Sequence, residues 1–476
     1  MSITDYADYD GLGLAELVAK KKVKPVELVE EAIARAERAN SKLNAVVYKD
    51  YERARTAAAG KLPTGPFSGV PFFLKDIFAY AEGMPTRQAC AFMPPFPWDH
   101  DCVLVARYKK AGLIALGKTN VPEFGLVATT ESKLYGPTHN PWNLAHSTGG
   151  SSGGSAALVA AGVVPFAHGN DGGGSIRIPS ACCGLVGLKP TRGRISYAPD
   201  FGDVIDGLAN DHVVTRTVRD SAAVLDATQG CVPGDPYWTP PAPESYRDAV
   251  KRKPKRLRIA FTAKKLDGGK SHADCEAAVK AAAKLCEAQG HIVEEAAPAF
   301  DHAQLSGAFM VYWGASLAAG IDLIATITSQ TPSREKFEGL TWGLYEAGKR
   351  IAATDYLHAK MAMQQAGRVA AKFHETYDVW LTPTLGAPPV ALGTFDMEET
   401  DVLKAFAPMT DYVPYTPVQN ATGQPAINLP LYWNKAGLPV GVQFVGRFGD
   451  ELTLLKLAAE LEKAQPWSHR YKTIEM

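Results

Sequence analysis

The chain has 476 residues, 46% of them hydrophobic and 21% charged, and its 50 Lys and Arg balance its 50 Asp and Glu. That composition is globular and needs neither metals nor disulfides to bury a core, and a net charge of zero offers no electrostatic footprint for nucleic acid. The seven cysteines are odd in number and show no CxxC spacing, the pattern of free thiols in a reducing compartment.

The N-terminus, MSITDYADYDGLGLAELV, is acidic and lacks the apolar segment of a secretion signal. No apolar run reaches the ~18 residues of a membrane span, so we expect a cytoplasmic protein without a membrane partner. Residues 24–40 predict an amphipathic helix, with Pro25 in its first turn and Val29, Ile33 and Ala36 on one face. GVPFFLKDIF (69–78) reads as a buried strand holding one lysine. Residues 103–112 read as a helix stopped by Gly112, and 113–117 as a strand. The small residues of 155–163 suit a tightly packed helix, 163–169 a strand, and 218–230 a helix with a glycine stop.

The Pro-rich stretch 232–246 predicts a surface excursion. A strand at 256–261, a helix at 274–290 and a strand at 291–296 follow in βαβ rhythm. Helical segments fill roughly 302–377, a buried strand 377–384, and a strand (437–446) and helix (450–464) close the chain. Strands and helices alternate throughout, so the class is α/β. Because the rhythm resumes after the Pro-rich stretch, we expect one large domain.

Three familiar motifs fail on context. GLIALGKT (112–119) matches the P-loop pattern, but its middle residues form a strand where the phosphate loop should be. That makes Lys118 a structural or pocket-wall lysine. GGSSG (149–153) matches a nucleophile elbow, yet the HNPWNLAHST before it is poor in β character, and an elbow needs a strand there. The eleven histidines show no metal-ligand spacing, so no metal site is expected. His168 is read as a hydrogen-bonded core histidine.

What remains is a lysine and two serines. Lys75 lies in the apolar run 69–78, Ser151 in the first of two glycine clusters and Ser175 at the end of the second, GNDGGGSIR. An apolar setting lowers a lysine from its ordinary value of about 10.4, and a neutral lysine can act as a base near pH 7. A serine hydroxyl becomes a nucleophile once a base takes its proton. Consecutive glycines can bare N–H groups to an oxyanion. The competing structural reading is a buried Lys75 paired with its neighbour Asp76, beside two glycine turns.

The run GGSSGGSAALVAAG through HGNDGGGSIRIPSACCGLVGLKPTRGRIS strongly resembles the signature segment of the amidase signature family. GVPFFLKD, GKTNVPEFG, NATGQPAINLP and GLPVGVQFVG extend the resemblance over nearly the whole chain. It implies a single amidase domain over residues 1–476, with its signature core at about 65–230. The implied fold is a central mixed, twisted β-sheet covered by helices on both faces. The implied enzyme cleaves C–N bonds of a small-molecule amide without cofactor, and a homodimer is in keeping with the family.

The resemblance further implies a Ser–cis-Ser–Lys triad: Ser175 as acylating nucleophile, Ser151 as bridging serine after a cis bond from Gly150, and Lys75 as base. The N–H groups of Gly172, Gly173, Gly174 and Ser175 would hold the oxyanion. Ser152, Asp171 and Arg177 would brace the two loops. Leu126, Gly149, Ile176 and Trp313 are expected in the substrate pocket.

AHGND and KPTRGRIS are most similar to the branch containing cyclic nylon-dimer hydrolase, with Asn170 replacing the threonine of the usual GTD. Trp313 and Leu126 make the expected pocket more apolar than in that hydrolase. Aryl or alkyl amides, anilides and carbamates are therefore the expected substrates ahead of a polar cyclic dimer, with lactam-type oligomers also within the expected range. The alternatives are a glutaminase subunit of a tRNA-dependent amidotransferase, which needs a polar, charged pocket, and an esterase on the same fold.

Overall fold

The apolar runs of the sequence become the strands of two principal sheets in the computed structural model, which describes residues 5–475. The larger sheet has eight strands, in the order Ile292–Glu295, Arg258–Phe261, Val379–Pro383, Val442–Val445, Ala426–Leu429, Val186–Lys189, Asn210–Thr215 and Phe166–Asp171. Arg258–Phe261 runs parallel to both of its neighbours, and every other pairing is antiparallel. The sheet is therefore mixed, as expected. Strands from before and after the Pro-rich stretch share it.

Both faces of this sheet are covered. Val379 and Leu381 join the large core with Val279 and Ala282 of the helix Ala273–Ala288. Trp380, between them, packs with Phe373 of the helix Ala353–Thr376. Successive side chains leave opposite faces of a strand. A strand buried on both faces carries an unbroken apolar run, which is what VWL shows.

The smaller sheet pairs Ile114–Thr119 with Val46–Lys49 on one side and Pro71–Lys75 on the other. All five residues of Pro71–Lys75 are buried, and Lys75 stands at its end. GLIALGKT is the strand Ile114–Thr119 with its approach, as its apolar middle predicts.

The predicted helix at 24–40 is observed as Pro25–Leu43, and the helical region after 302 resolves into His302–Thr328, Gly339–Gly348 and Ala353–Thr376. The Pro-rich stretch is irregular, but it is anchored: Thr239 Oγ1 donates to the Arg192 carbonyl, and the Arg194 guanidinium donates to the Pro240 carbonyl at 2.6 Å.

Two expectations are corrected. A strand does precede the first glycine cluster, Asn143–Ser147, although it belongs to a two-stranded ribbon with His139–Asn140 and not to the main sheet. The helix His302–Thr328 has the length and apolarity of a membrane span, with mean hydropathy 1.5 over an 18-residue stretch that is 39% buried. Gln304, Ser306 and Ser316 break the apolar run in the sequence, although the stretch carries no Asp, Glu, Lys or Arg from Ala303 to Ile321.

Candidate active site

The sheets deliver three segments to one place. Lys75 ends the strand Pro71–Lys75. Ser151 lies in the turn before the helix Gly153–Ala160, and Ser175 follows the glycine run between the strand Phe166–Asp171 and the helix Arg177–Cys183. Lys75 is 0% exposed, Ser151 2% and Ser175 8%. The Lys75 Nζ lies 2.7 Å from Ser151 Oγ and also donates to Asn170 Oδ1. Burial lowers the lysine to about 7, and the more distant charges of Asp211 and Asp171 only partly oppose this.

Asp76 is not the partner of Lys75. Its carboxylate accepts from the Arg87 N–H at 3.1 Å, and the charge that acts on it most strongly is that of Lys118. Lys118 in turn donates to the Ala79 carbonyl at 2.8 Å and to Thr86 at 3.1 Å. It is a structural lysine and lines no part of the cleft described below.

The Gly150–Ser151 peptide bond is cis. A Cβ on Gly150 would lie 2.3 Å from the Thr129 carbonyl oxygen, so the backbone packing itself requires glycine. In the second cluster Gly174 has φ +135°, and a Cβ there would lie 2.2 Å from Thr416 Oγ1. Thr416 Oγ1 donates to the Gly173 carbonyl at 2.8 Å. Among the described residues no acceptor meets the N–H groups of Gly172, Gly173, Gly174 or Ser175, which leaves four donors beside the Ser175 hydroxyl.

A buried polar network lies behind this loop. Arg177 grips Asp171 with Nε at 2.9 Å and a terminal nitrogen at 2.8 Å, and it reaches Gln419, Gln443 and Asn420 at 2.7–2.9 Å. Burial would raise the Asp171 carboxyl, but the charge and hydrogen bonds of Arg177 hold it at about 2. The same carboxylate accepts from the N–H of Ile176 at 3.2 Å and so fixes the turn that follows Ser175. Ser152 ties the two loops together, with its N–H on the Ser175 carbonyl and its hydroxyl on the Asn170 carbonyl, both at 3.3 Å. His168 is fully buried, as a core histidine should be. Its Nδ1 accepts from the Lys75 backbone N–H at 3.2 Å, which puts its proton on Nε2, 3.4 Å from Asp211.

Two cavities of about 130 Å³ each meet at Ser175. Gly125, Leu126 and Trp313 line both and form the waist between them. Phe309, Met310, Phe406 and Met409 line one cavity; Ile77, Phe78, Phe124 and Ile205 line the other, beside Ser151 and Asn170. Among the described residues no Asp, Glu, Lys or Arg lines either, and His302 is the one titratable imidazole in the wall. Trp313 donates its Nε1–H to the Leu126 carbonyl at 3.2 Å and stacks on Phe309.

Of the expected pocket residues, Leu126 and Trp313 are in the wall, but Gly149 and Ile176 are not. Gly149 is backed by Cys182, Ile178 and Pro179, and Ile176 is wholly buried against Gly169 in the main core. Sequence reasoning gave no role to Asn170 beyond a departure in the motif, and none to Thr416, Gln419, Asn420 or Gln443. Gln443 did carry a signal, a polar side chain inside the apolar run GVQFVG, whereas Thr416, Gln419 and Asn420 stand among other polar residues in YTPVQNATGQ.

The comparisons with known proteins agree on the class of enzyme. The family model described as Amidase matches residues 27–455, and the chain belongs to this amidase family. It is a hydrolase acting on amide C–N bonds. The 6-aminohexanoate-cyclic-dimer hydrolase of Pseudomonas sp. (strain NK87) is 36% identical over 478 residues, spanning 97% of this chain and 96% of the relative. A solved 6-aminohexanoate cyclic dimer hydrolase complexed with substrate superposes with TM-score 0.92 at 34% identity, over 99% of this chain and 100% of that one. A bacterial aryl acylamidase of the amidase signature family follows with TM-score 0.89 at 26% identity, over 98% of each chain.

Proposed function

We propose that the chain hydrolyses small, uncharged, apolar amides through an acyl-enzyme on Ser175, with Ser151 and Lys75 as a proton relay. Neutral Lys75 takes the proton of Ser151 while Ser151 takes that of Ser175. The Ser175 Oγ attacks the carbonyl, and the oxyanion accepts hydrogen bonds from the free N–H groups of Gly172, Gly173, Gly174 and Ser175. The proton returns through Ser151 to the leaving nitrogen, and water then releases the acyl group. The observation that carries this reading is the 2.7 Å contact between Lys75 and Ser151, made by a buried amine that no carboxylate touches.

The substrate class follows from a mostly apolar cleft whose described wall has no carboxylate, ammonium or guanidinium group. Aryl and alkyl amides and anilides match its aromatic walls, and carbamates suit the same mechanism because a carbamoyl-enzyme hydrolyses as an acyl-enzyme does. The names of the relatives support lactam-type cyclic oligomers and anilides in particular. A glutaminase subunit would need charges to recognise both the α-amino and carboxylate groups of glutamine, and among the described residues the cleft wall offers no carboxylate, ammonium or guanidinium group, only the imidazole of His302. An esterase would use the same residues on a better leaving group. The shared eight-stranded sheet supports one catalytic domain across the whole chain, and seven unpaired cysteines support a reducing, cytoplasmic location.

The test is a panel of aliphatic amides, nitroanilides, carbamates, cyclic lactams, esters and glutamine, given to the purified chain and to its Ser175→Ala variant. We expect turnover of nitroanilides by the chain alone and none by the variant. More than a few per cent of activity left in Ser175→Ala would overturn the nucleophile, and a preference for glutamine would overturn the substrate class.

A further inference from the structure

The Lys75 amine has more polar neighbours than a relay to Ser151 requires. Its Nζ donates to Asn170 Oδ1 and lies 3.5 Å from the backbone oxygen of the same residue. A neutral primary amine has two hydrogens and one lone pair. With both hydrogens on the two oxygens of Asn170, the lone pair is what remains for the Ser151 hydroxyl, 2.7 Å away. We infer that Asn170 is a positioning residue that turns the lone pair of Lys75 onto Ser151. The inference rests on the relay reading above.

The surroundings of Asn170 favour this. Asn170 lies in the strand Phe166–Asp171, where it pairs with Asp211, and it is 5% exposed. Its backbone oxygen is further fixed by the Ser152 hydroxyl at 3.3 Å. The orientation of its amide follows from the partner: reversed, it would set an NH₂ against an amine that must donate. The titratable groups around Lys75 are Asp171 on the same strand as Asn170, Asp211 on the neighbouring strand, and His168, whose ring holds the lysine backbone. None is within ion-pair distance of the Nζ. The amine therefore meets neutral oxygens only. A neutral carbonyl orients its hydrogens without supplying the negative charge that would hold a third proton on nitrogen. A carboxylate in its place would orient the amine equally well and keep it charged.

The experiment is the pH dependence of kcat and KM on a nitroanilide for the wild type, Asn170→Ala, Asn170→Asp and Lys75→Met, with thermal unfolding to confirm that each is folded. Asn170→Ala should lower kcat by about 100-fold, the lower end of the range that proton transfer contributes, with KM changed by less than about threefold. Asn170→Asp should move the acid limb of kcat/KM upward by about a pH unit or more and regain activity above it. Wild-type kcat in Asn170→Ala, or a loss in Asn170→Asp that is the same at every pH, would overturn the inference. The two readings fail differently. If Lys75→Met keeps activity and the wild-type limb, the relay itself falls. If Lys75→Met is inactive while both Asn170 variants keep the wild-type profile, only the role of Asn170 falls.

Discussion

Lys75→Met should make the protein more stable relative to the wild type at neutral pH than at alkaline pH, and this tests the neutral base without any substrate. Methionine fills nearly the volume of lysine and carries no charge. In the unfolded chain Lys75 titrates near 10.5, and in the folded protein burial lowers it to about 7. Between those values the unfolded lysine holds a proton that the folded one has lost, so wild-type stability rises with pH in that window. At ~1.4 kcal/mol per pH unit the whole window amounts to ~5 kcal/mol. The variant also loses the three hydrogen bonds of the amine, at ~1 kcal/mol each, but that cost does not vary with pH. Urea unfolding of both proteins from pH 7.5 to 10 should show the wild type gaining ~3 kcal/mol on the variant. Parallel curves would mean that Lys75 is charged when folded, and the relay would have no base.

Three further outcomes follow from the geometry. Asp171→Asn leaves the Arg177 guanidinium buried without its carboxylate and should cost about 3–5 kcal/mol in urea unfolding. Because Arg177 holds Asp171 at about 2, that penalty should be full above pH 4 and shrink as the pH falls toward 2; a penalty that persists unchanged at pH 2 would refute the pairing. Trp313→Ala removes the waist between the two cavities, so it should raise KM for small anilides and shift preference toward bulkier ones; an unchanged order in a substrate panel would show that Trp313 does not shape the cleft. Gly174→Ala meets both a φ of +135° and the Thr416 hydroxyl, and it should lower kcat by about 100-fold or more by displacing the N–H groups beside Ser175; near-normal kcat would refute their role.

The elements easiest to read in the sequence are those whose burial shows in their residues. Pro71–Lys75, Ile114–Thr119 and Val379–Pro383 open on the apolar runs PFFL, IALG and VWL, nearly all of whose residues are buried. Asn210–Thr215 is equally buried but begins Asn-Asp-His, and its polar residues hide a strand that pairs along its whole length with Phe166–Asp171. Ala426–Leu429 and Val186–Lys189 have four residues each, too few for a period to show. The same divide runs through the site. Lys75, Ser151 and Ser175 stand in distinctive local patterns. Much of the cleft wall comes from helices far along the chain, and Phe406, Met409, Thr410 and Val413 follow the i, i+3, i+4, i+7 spacing of any core-facing helix. Nothing in such a stripe tells a cavity from a core. Gly149 and Ile176 were misplaced because nearness to a catalytic serine in sequence says little about which way a side chain leaves the turn.

Two buried basic side chains within this one site make the electrostatic logic explicit. Arg177 and Lys75 are each 0% exposed. Arg177 is surrounded by a bidentate carboxylate and three side-chain carbonyls, so every donor direction is met and its charge is compensated in place. Lys75 receives one hydroxyl and the oxygens of one asparagine, none of them charged. Desolvation acts on both, but only in Arg177 is it answered by an opposite charge at contact distance. Exchanging these surroundings would give a charged lysine unable to take a proton. The fold thus places its carboxylate behind the glycine loop, where rigidity is needed, and keeps it from the amine that must stay neutral.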